Sequence, residues 1–171
     1  PPRRIVCLTE ETVETLYTLG RQELIVGVSG YTVRPPEARR DKPRVSAFTS
    51  ADMPKIMALR PDLVLAFSDL QADIVAGLIR RGIAVHAFNQ RDIAGILDMI
   101  RMLGALVDAR DEAAALVARL TANLAAVKAR AAGRRVVPRV FFEEWDEPLI
   151  SGIRWVSELI EVAGGADIFP E

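Results

Sequence analysis

Nearly continuous short apolar runs alternate along this chain with segments of helical periodicity, and this alternation restricts its fold more than any other feature. Ile5 to Leu8, Leu24 to Val28, Leu63 to Phe67 and Ile83 to Phe88 read as strands. After the first, Thr9 stands where a helix cap belongs, Glu10 and Glu11 occupy a first turn whose dipole favours them, and Val13, Leu16 and Tyr17 share one face before Gly20 stops the helix. Leu70, Ile74, Leu78 and Ile79 predict a second helix closed by Gly82. Asp92 caps another, whose apolar face is Ile93, Ile96, Leu97, Ile100 and Leu103. Strand and helix in strict turn predict an α/β fold on a parallel sheet.

Two segments break the rhythm. Residues 32–50 are rich in Pro and Arg and read as one long loop, followed by a short helix from about Asp52 to Leu59. From Asp111 to Ala132 the sequence is Ala-rich, with Leu116, Leu120, Leu124 and Val127 along one stripe, and such a helix spans about 33 Å. That is too long for a crossover on the small preceding sheet, so it reads as a strut. Arg139 to Glu143 then begins a second α/β unit, with Val156, Leu159 and Ile160 facing inward from a helix stopped by Gly164-Gly165. The expected organisation is an N-terminal α/β lobe over 1–110, a connecting backbone helix over 111–133, and an incomplete C-terminal α/β lobe over 134–171.

Charge and composition exclude several classes. Lys+Arg is 22 against Asp+Glu 23, so no basic stripe exists to engage a phosphate backbone, and nucleic acid is excluded as a partner. No apolar run approaches the roughly 20 residues needed to cross a bilayer. The start passes almost directly into a strand, without the basic stretch, apolar region and cleavage site of a secretory leader. Either a leader lies outside this sequence or the protein has none. Cys7 stands alone, which leaves no internal disulfide and no metal-ligand spacing, and it reads as a small buried residue.

Catalytic signatures are missing. There is no G-x-G-x-x-G after a strand, no Walker-type phosphate loop and no nucleophile elbow. His86, the single histidine, lies inside a strand and reads as structural. Glu143, Glu144, Asp146 and Glu147 invite a metal or acid–base reading, but contiguous strand residues alternate in direction, so at most two face one point. Position says more than residue type. Ligands of open parallel sheets bind beyond the carboxyl ends of the strands. The residues there are Thr9-Glu10-Glu11, Ser29-Gly30-Tyr31, Phe67-Ser68-Asp69 and Asn89-Gln90, and Trp145 follows the first strand of the second unit. Tyr31, Phe67 and Trp145 with a few polar groups suit a large, flat, partly apolar ligand.

The sequence also resembles a known family. Arg4-Ile-Val-Cys-Leu, Thr9-Glu10, Leu19-Gly20, Val26-Gly27-Val28-Ser29-Gly30-Tyr31, Leu59-Arg60-Pro61-Asp62-Leu63-Val64-Leu65, Gly82-Ile83-Ala84-Val85, Met102-Leu103-Gly104 and the tail Glu158 to Phe169 are similar, in order and spacing, to the substrate-binding proteins of ABC importers for cobalamin, siderophores and haem. The resemblance implies two Rossmann-like lobes joined by a rigid helix, with the ligand held in the cleft between them. It is nearest to cobalamin-binding members through Ser29-Gly30-Tyr31, Phe67 and Glu144-Trp145. It implies a ligand-binding set of Thr9, Glu10, Tyr31, Arg34, Phe67, Ser68, Gln71, Glu144, Trp145 and Arg154, with Arg34, Gln71 or Arg154 meeting the corrin's amide groups. It implies no catalytic residue, no metal site and no resident cofactor, the ligand being cobalamin or another metal chelate.

The resemblance further implies an extracytoplasmic, periplasmic location and an ABC-importer permease as partner. Members that dock on a permease carry a glutamate in the short helix after the long loop, and Pro54 occupies that position here, with Asp52 as a substitute nearby. Two other readings stand beside this one: a cytosolic corrinoid carrier or sensor that docks on no importer, and an α/β hydrolase or metal-dependent enzyme built on Glu143, Glu144 and Asp146. An incomplete second lobe would expose Val140, Phe142, Leu159 and Ile160, and self-association is expected from that surface.

Overall fold

In the computed structural model, which describes residues 1–170, the chain divides into two compact units. The first holds Pro1–Asn89 and Met102–Ala113; the second holds Gln90–Arg101 and the chain from Ala114 onward.

The first unit is built on β1 (Ile5–Cys7), α1 (Glu10–Thr18), β2 (Ile25–Ser29), α2 (Pro36–Asp41), β3 (Arg44–Ala47), β4 (Ser50–Ala51), α3 (Met53–Ala58), β5 (Leu63–Phe67), α4 (Ala72–Ile79) and β6 (Val85–Phe88). The six strands form one sheet in the order β4-β3-β2-β1-β5-β6, parallel except for the β3–β4 pair at its edge. Ile5 pairs with Ile25 on one side and Leu63 on the other, so β1 lies inside the sheet between β2 and β5. Successive strand side chains point to opposite faces, and every residue of β1 is sealed from solvent, so both faces are covered. Val6, Leu8, Val64 and Ala66 pack on one face with Val45, Ile56, Ile74 and Leu78. This is why the strands read as unbroken apolar runs.

Three expectations change here. Residues 32–50 are not one loop: they hold α2 and the start of an edge hairpin, because Val45 is buried and the Gly30 N–H donates to the Ser46 carbonyl at 2.7 Å, adding β3 to β2. The apolar face of α4 is Ile74 and Leu78, with the half-buried Val75 packed beside them; Leu70 and Ile79 are exposed. Thr9 sits at the N-cap of α1, yet its hydroxyl donates to Glu11 Oε1 at 2.7 Å instead of accepting from the helix.

The second unit takes in the start of α5 (Ile93–Leu106), most of α6 (Arg110–Ala131), β7 (Arg139–Val140), β8 (Glu143–Asp146), β9 (Leu149–Ser151), α7 (Arg154–Val162) and β10 (Ala166–Asp167). The cap at Asp92 forms as expected, its Oδ1 accepting the Gly95 N–H at 2.7 Å. The expected strand from Arg139 to Glu143 does not form as one piece. β7 pairs in parallel with β10, the chain leaves the ladder at Phe141-Phe142, and β8 turns back on β9 as an antiparallel hairpin. On α7, Val156 and Ser157 are buried and Ile160 is half-buried, while Leu159 is 41% exposed and does not face a core.

Candidate functional site

The strand order of the first unit reverses at β1, with β2 on one side and β5 on the other, and ligands of open α/β sheets bind beyond the carboxyl ends at such a point. Of the expected residues, six from the first unit lie just past those ends: Thr9 and Glu10 after β1, Tyr31 after β2, Phe67 and Ser68 at the end of β5, and Gln71 in the turn that follows. Tyr31 projects into solvent, 59% exposed, and Phe67 is half-buried. These two rings, with the half-buried Glu10, are the solvent-accessible parts of the rim.

The remaining polar groups are engaged internally. Thr9 is buried and bonded to Glu11; Ser68 is buried, and its hydroxyl accepts the Leu70 N–H at 3.3 Å. Gln71 departs from its expected role on the surface: it is 0% exposed and its amide is bonded to three backbone groups, so it supports the rim from beneath. The exposed Arg34 guanidinium lies 3.6 Å from Glu14 Oε2, an ion pair with α1.

Two further residues stand out at this rim, Glu11, already marked by its place after β1, and Thr32. Glu11 lies in the first turn of α1, and burial raises its pKa above the ordinary carboxylate value, offset in part by the Thr9 hydroxyl. Thr32, three residues past β2, is buried with a hydroxyl that has no partner among the described residues, and no sequence signal marks it.

In the second unit Glu144 and Trp145 stand within the β8–β9 hairpin, where Trp145 pairs with Ile150; they do not follow a strand, as expected, but lie inside one. Every residue of β8 is exposed. Trp145 is 60% exposed, and its Nε1–H donates to the Glu147 carbonyl at 3.1 Å, which turns the indole along the hairpin. Arg154 opens α7 with its Nε 3.3 Å from Glu158 Oε1, and Glu158 Oε2 accepts the Ile93 N–H at the head of α5, 2.7 Å away. The same unit has an apolar groove of about 240 Å³ between Ile93, Ile96, Leu97, Leu120, Leu124 and Leu159.

The Cys7 thiol is buried and pushed up to about 12, chiefly by burial. Burial holds the His86 pKa below the ordinary value, and its ring stacks edge-on against Phe88 at 4.3 Å. Among the described residues no three of His, Cys, Asp and Glu converge to hold a metal ion, so Glu143, Glu144 and Asp146 do not assemble a metal centre. At the head of α3, Asp52 Oδ1 accepts the Lys55 N–H at 3.0 Å and Oδ2 pairs with Lys55 Nζ at 3.1 Å, while Pro54 is exposed in the first turn.

An open, mostly parallel α/β sheet with an aromatic rim is the frame of a ligand-binding domain. The chain belongs to the periplasmic binding protein family, whose model matches residues 5–171. Curated relatives include the vitamin B12-binding protein of Vibrio campbellii, 27% identical over 99% of this chain and 62% of the relative. The cobalamin-binding protein of Halobacterium salinarum is 28% identical over 98% of this chain and 46% of its own length. The vitamin B12-binding protein of Salmonella typhimurium is 30% identical over 98% of this chain and 63% of its own length. The chain thus spans between about half and two thirds of the relatives it matches. Solved structures share the fold. The periplasmic vitamin B12 binding protein of Vibrio cholerae superposes with a TM-score of 0.84 at 24% identity, over 100% of this chain and 68% of that one. A periplasmic heme binding protein from Pseudomonas aeruginosa gives 0.84 at 20%, over 100% and 64%.

Proposed function

We propose that this chain serves as the solute-binding component of an ABC importer and holds cobalamin or a related metal chelate, by shape and ring stacking and without catalysis. The observation that carries this reading is the rim of the first unit, where Tyr31 and Phe67 offer free ring surface while the buried polar side chains around them are largely committed to the fold. Such a surface suits a broad, partly apolar ring system better than a sugar or bare ion. Relatives named for vitamin B12 and cobalamin support cobalamin as the first candidate. The heme binding structure, likewise open-sheeted, makes haem the second. Glu144, Trp145 and Arg154 are retained as ligand contacts on the second unit's own surface.

The metal chelate is cargo, and no resident cofactor is invoked. Family membership favours an extracytoplasmic location over the cytosolic carrier. A permease is the expected macromolecular partner. Docking through the head of α3 would rest on Asp52, whose carboxylate already caps its own helix and pairs with Lys55, so this contact is weak. The exposed Phe141, Phe142, Leu149 and Ile150 of the second unit favour self-association, read as concentration-dependent mass in light scattering.

Calorimetric titration with cyanocobalamin and, separately, hemin tests the ligand. Saturable heat with a micromolar or tighter dissociation constant for one of them is expected. Absence of heat and of any spectral change for both defeats the proposal.

A further inference from the structure

Beneath the rim, one side chain joins three segments that meet there. Gln71 Oε1 accepts the N–H of Phe67 at 3.0 Å, at the end of β5. Its Nε2 donates to the Phe48 carbonyl in the β3–β4 turn at 2.8 Å and, in a longer contact of 3.4 Å, to the Leu8 carbonyl just past β1. Only one amide orientation satisfies these partners, because the backbone presents one donor and two acceptors. The side chain is wholly buried, so water cannot replace any of the three.

A second observation lies beside it. Ser68, between Phe67 and the turn, has φ +60° and ψ 175°, a conformation that costs a non-glycine residue on the order of 1–3 kcal/mol and persists only when its surroundings impose it. Three hydrogen bonds impose it: the Ser68 N–H donates to the Phe88 carbonyl at 2.8 Å, its hydroxyl accepts from the Leu70 N–H, and its carbonyl accepts the Gln71 N–H at 3.4 Å. Gln71 therefore restrains the strained residue through its backbone while its side chain fixes the neighbouring strand ends.

We propose that Gln71 is the positioning residue of the ligand rim: its buried amide sets where Phe67 and the segment entering Thr9 stand, so the ring surface is built before the ligand arrives. This rests on the reading of that rim as the ligand site, and the test separates the two. Gln71→Met keeps the length and removes all three side-chain bonds; Gln71→Glu keeps an acceptor for Phe67 but loses the donors when ionised. Leaving buried groups unpaired predicts cyanocobalamin binding weakened by about tenfold in Gln71→Met at temperatures where circular dichroism shows it folded. Gln71→Glu regains affinity on acidification, as its protonated carboxyl again donates, and Gln71→Met does not. Amide hydrogen exchange at Phe67, measured without ligand, accelerates at least about tenfold in the Met variant.

Full affinity in a folded Gln71→Met protein overturns the proposal, as does unchanged Phe67 exchange. Should the Met variant not fold, exchange in the unaltered chain decides: a Phe67 amide as protected as Leu65 supports the brace, and one exchanging at loop rates refutes it. Failure of the unaltered chain to bind cyanocobalamin or hemin removes the ligand reading alone, because the exchange arm uses no ligand.

Discussion

The two units spend a similar stock of apolar residues very differently. In the first, β1 and β5 are interior strands of a six-stranded sheet, and Ile5, Val6, Cys7, Val64, Leu65 and Ala66 are sealed from solvent. In the second, strands of two to four residues pair only in twos, and Phe141, Trp145, Leu149, Ile150 and Phe169 remain exposed. Isolated two-stranded pairs are marginal on their own. Stability therefore concentrates in the first unit, while the second offers surface. A rim can be stiff only where the strands behind it are buried, so the preformed part of the proposed site would lie on the first unit.

The comparison can be broken by substitution. Leu65→Ala, at the centre of β5, should cost about 2–5 kcal/mol in urea unfolding. Trimming a half-buried residue of the second unit, as in Leu124→Ala, should cost about 1 kcal/mol or less. Equal losses would erase the distinction. Gly104→Ala should be next in size, about 1–3 kcal/mol, since an added Cβ would stand 2.4 Å from Ala113 Cβ and 2.9 Å from the Ala109 carbonyl. A neutral result there would mean that α5 and α6 yield at this contact.

Acid and base should act oppositely on the two units. Burial raises the folded pKa of Glu11, so its contribution is fully present below its unfolded value near 4.5 and is lost as pH rises through the raised value. Asp167 is the reverse: the Ser157 hydroxyl holds its pKa low, so its contribution is present above about 3.8 and is lost as pH falls through the depressed value. Glu11→Gln should flatten the first dependence and Asp167→Asn the second, both read from urea midpoints against pH. The smallest stability effect belongs to Trp145→Ala, within about 0.5 kcal/mol of the unaltered chain, because the indole is mostly in solvent.

Much of the first unit was legible because its strands are buried on both faces, which leaves an apolar run that periodicity detects. Gly20 and Gly82, at φ +68° and +77°, close their helices where expected, and Asp92 caps its own. The edge hairpin was hidden because Val45 is its one buried apolar residue among arginines and prolines, and an edge strand needs no more than that. Phe141-Phe142 misled in the other direction, since aromatic residues next to a strand suggest its continuation while here they sit outside any ladder. Position after a strand picks out Tyr31 and Gln71 alike, but residue type could not separate Tyr31, which faces solvent, from Gln71, which is buried beneath it. That distinction depends on Phe48 and Leu8 arriving from distant parts of the chain.

The central claim is that the first unit's rim binds a metal chelate through ring surface. Titrating cyanocobalamin into the unaltered chain and into Tyr31→Ala, with unfolding midpoints recorded beside the binding curves, tests it most directly. The account predicts saturable binding that weakens by about tenfold or more in Tyr31→Ala, with an unchanged unfolding midpoint, since this exposed ring contributes to the ligand and little to the fold. Identical binding curves for the two proteins, or no binding by either, would contradict it.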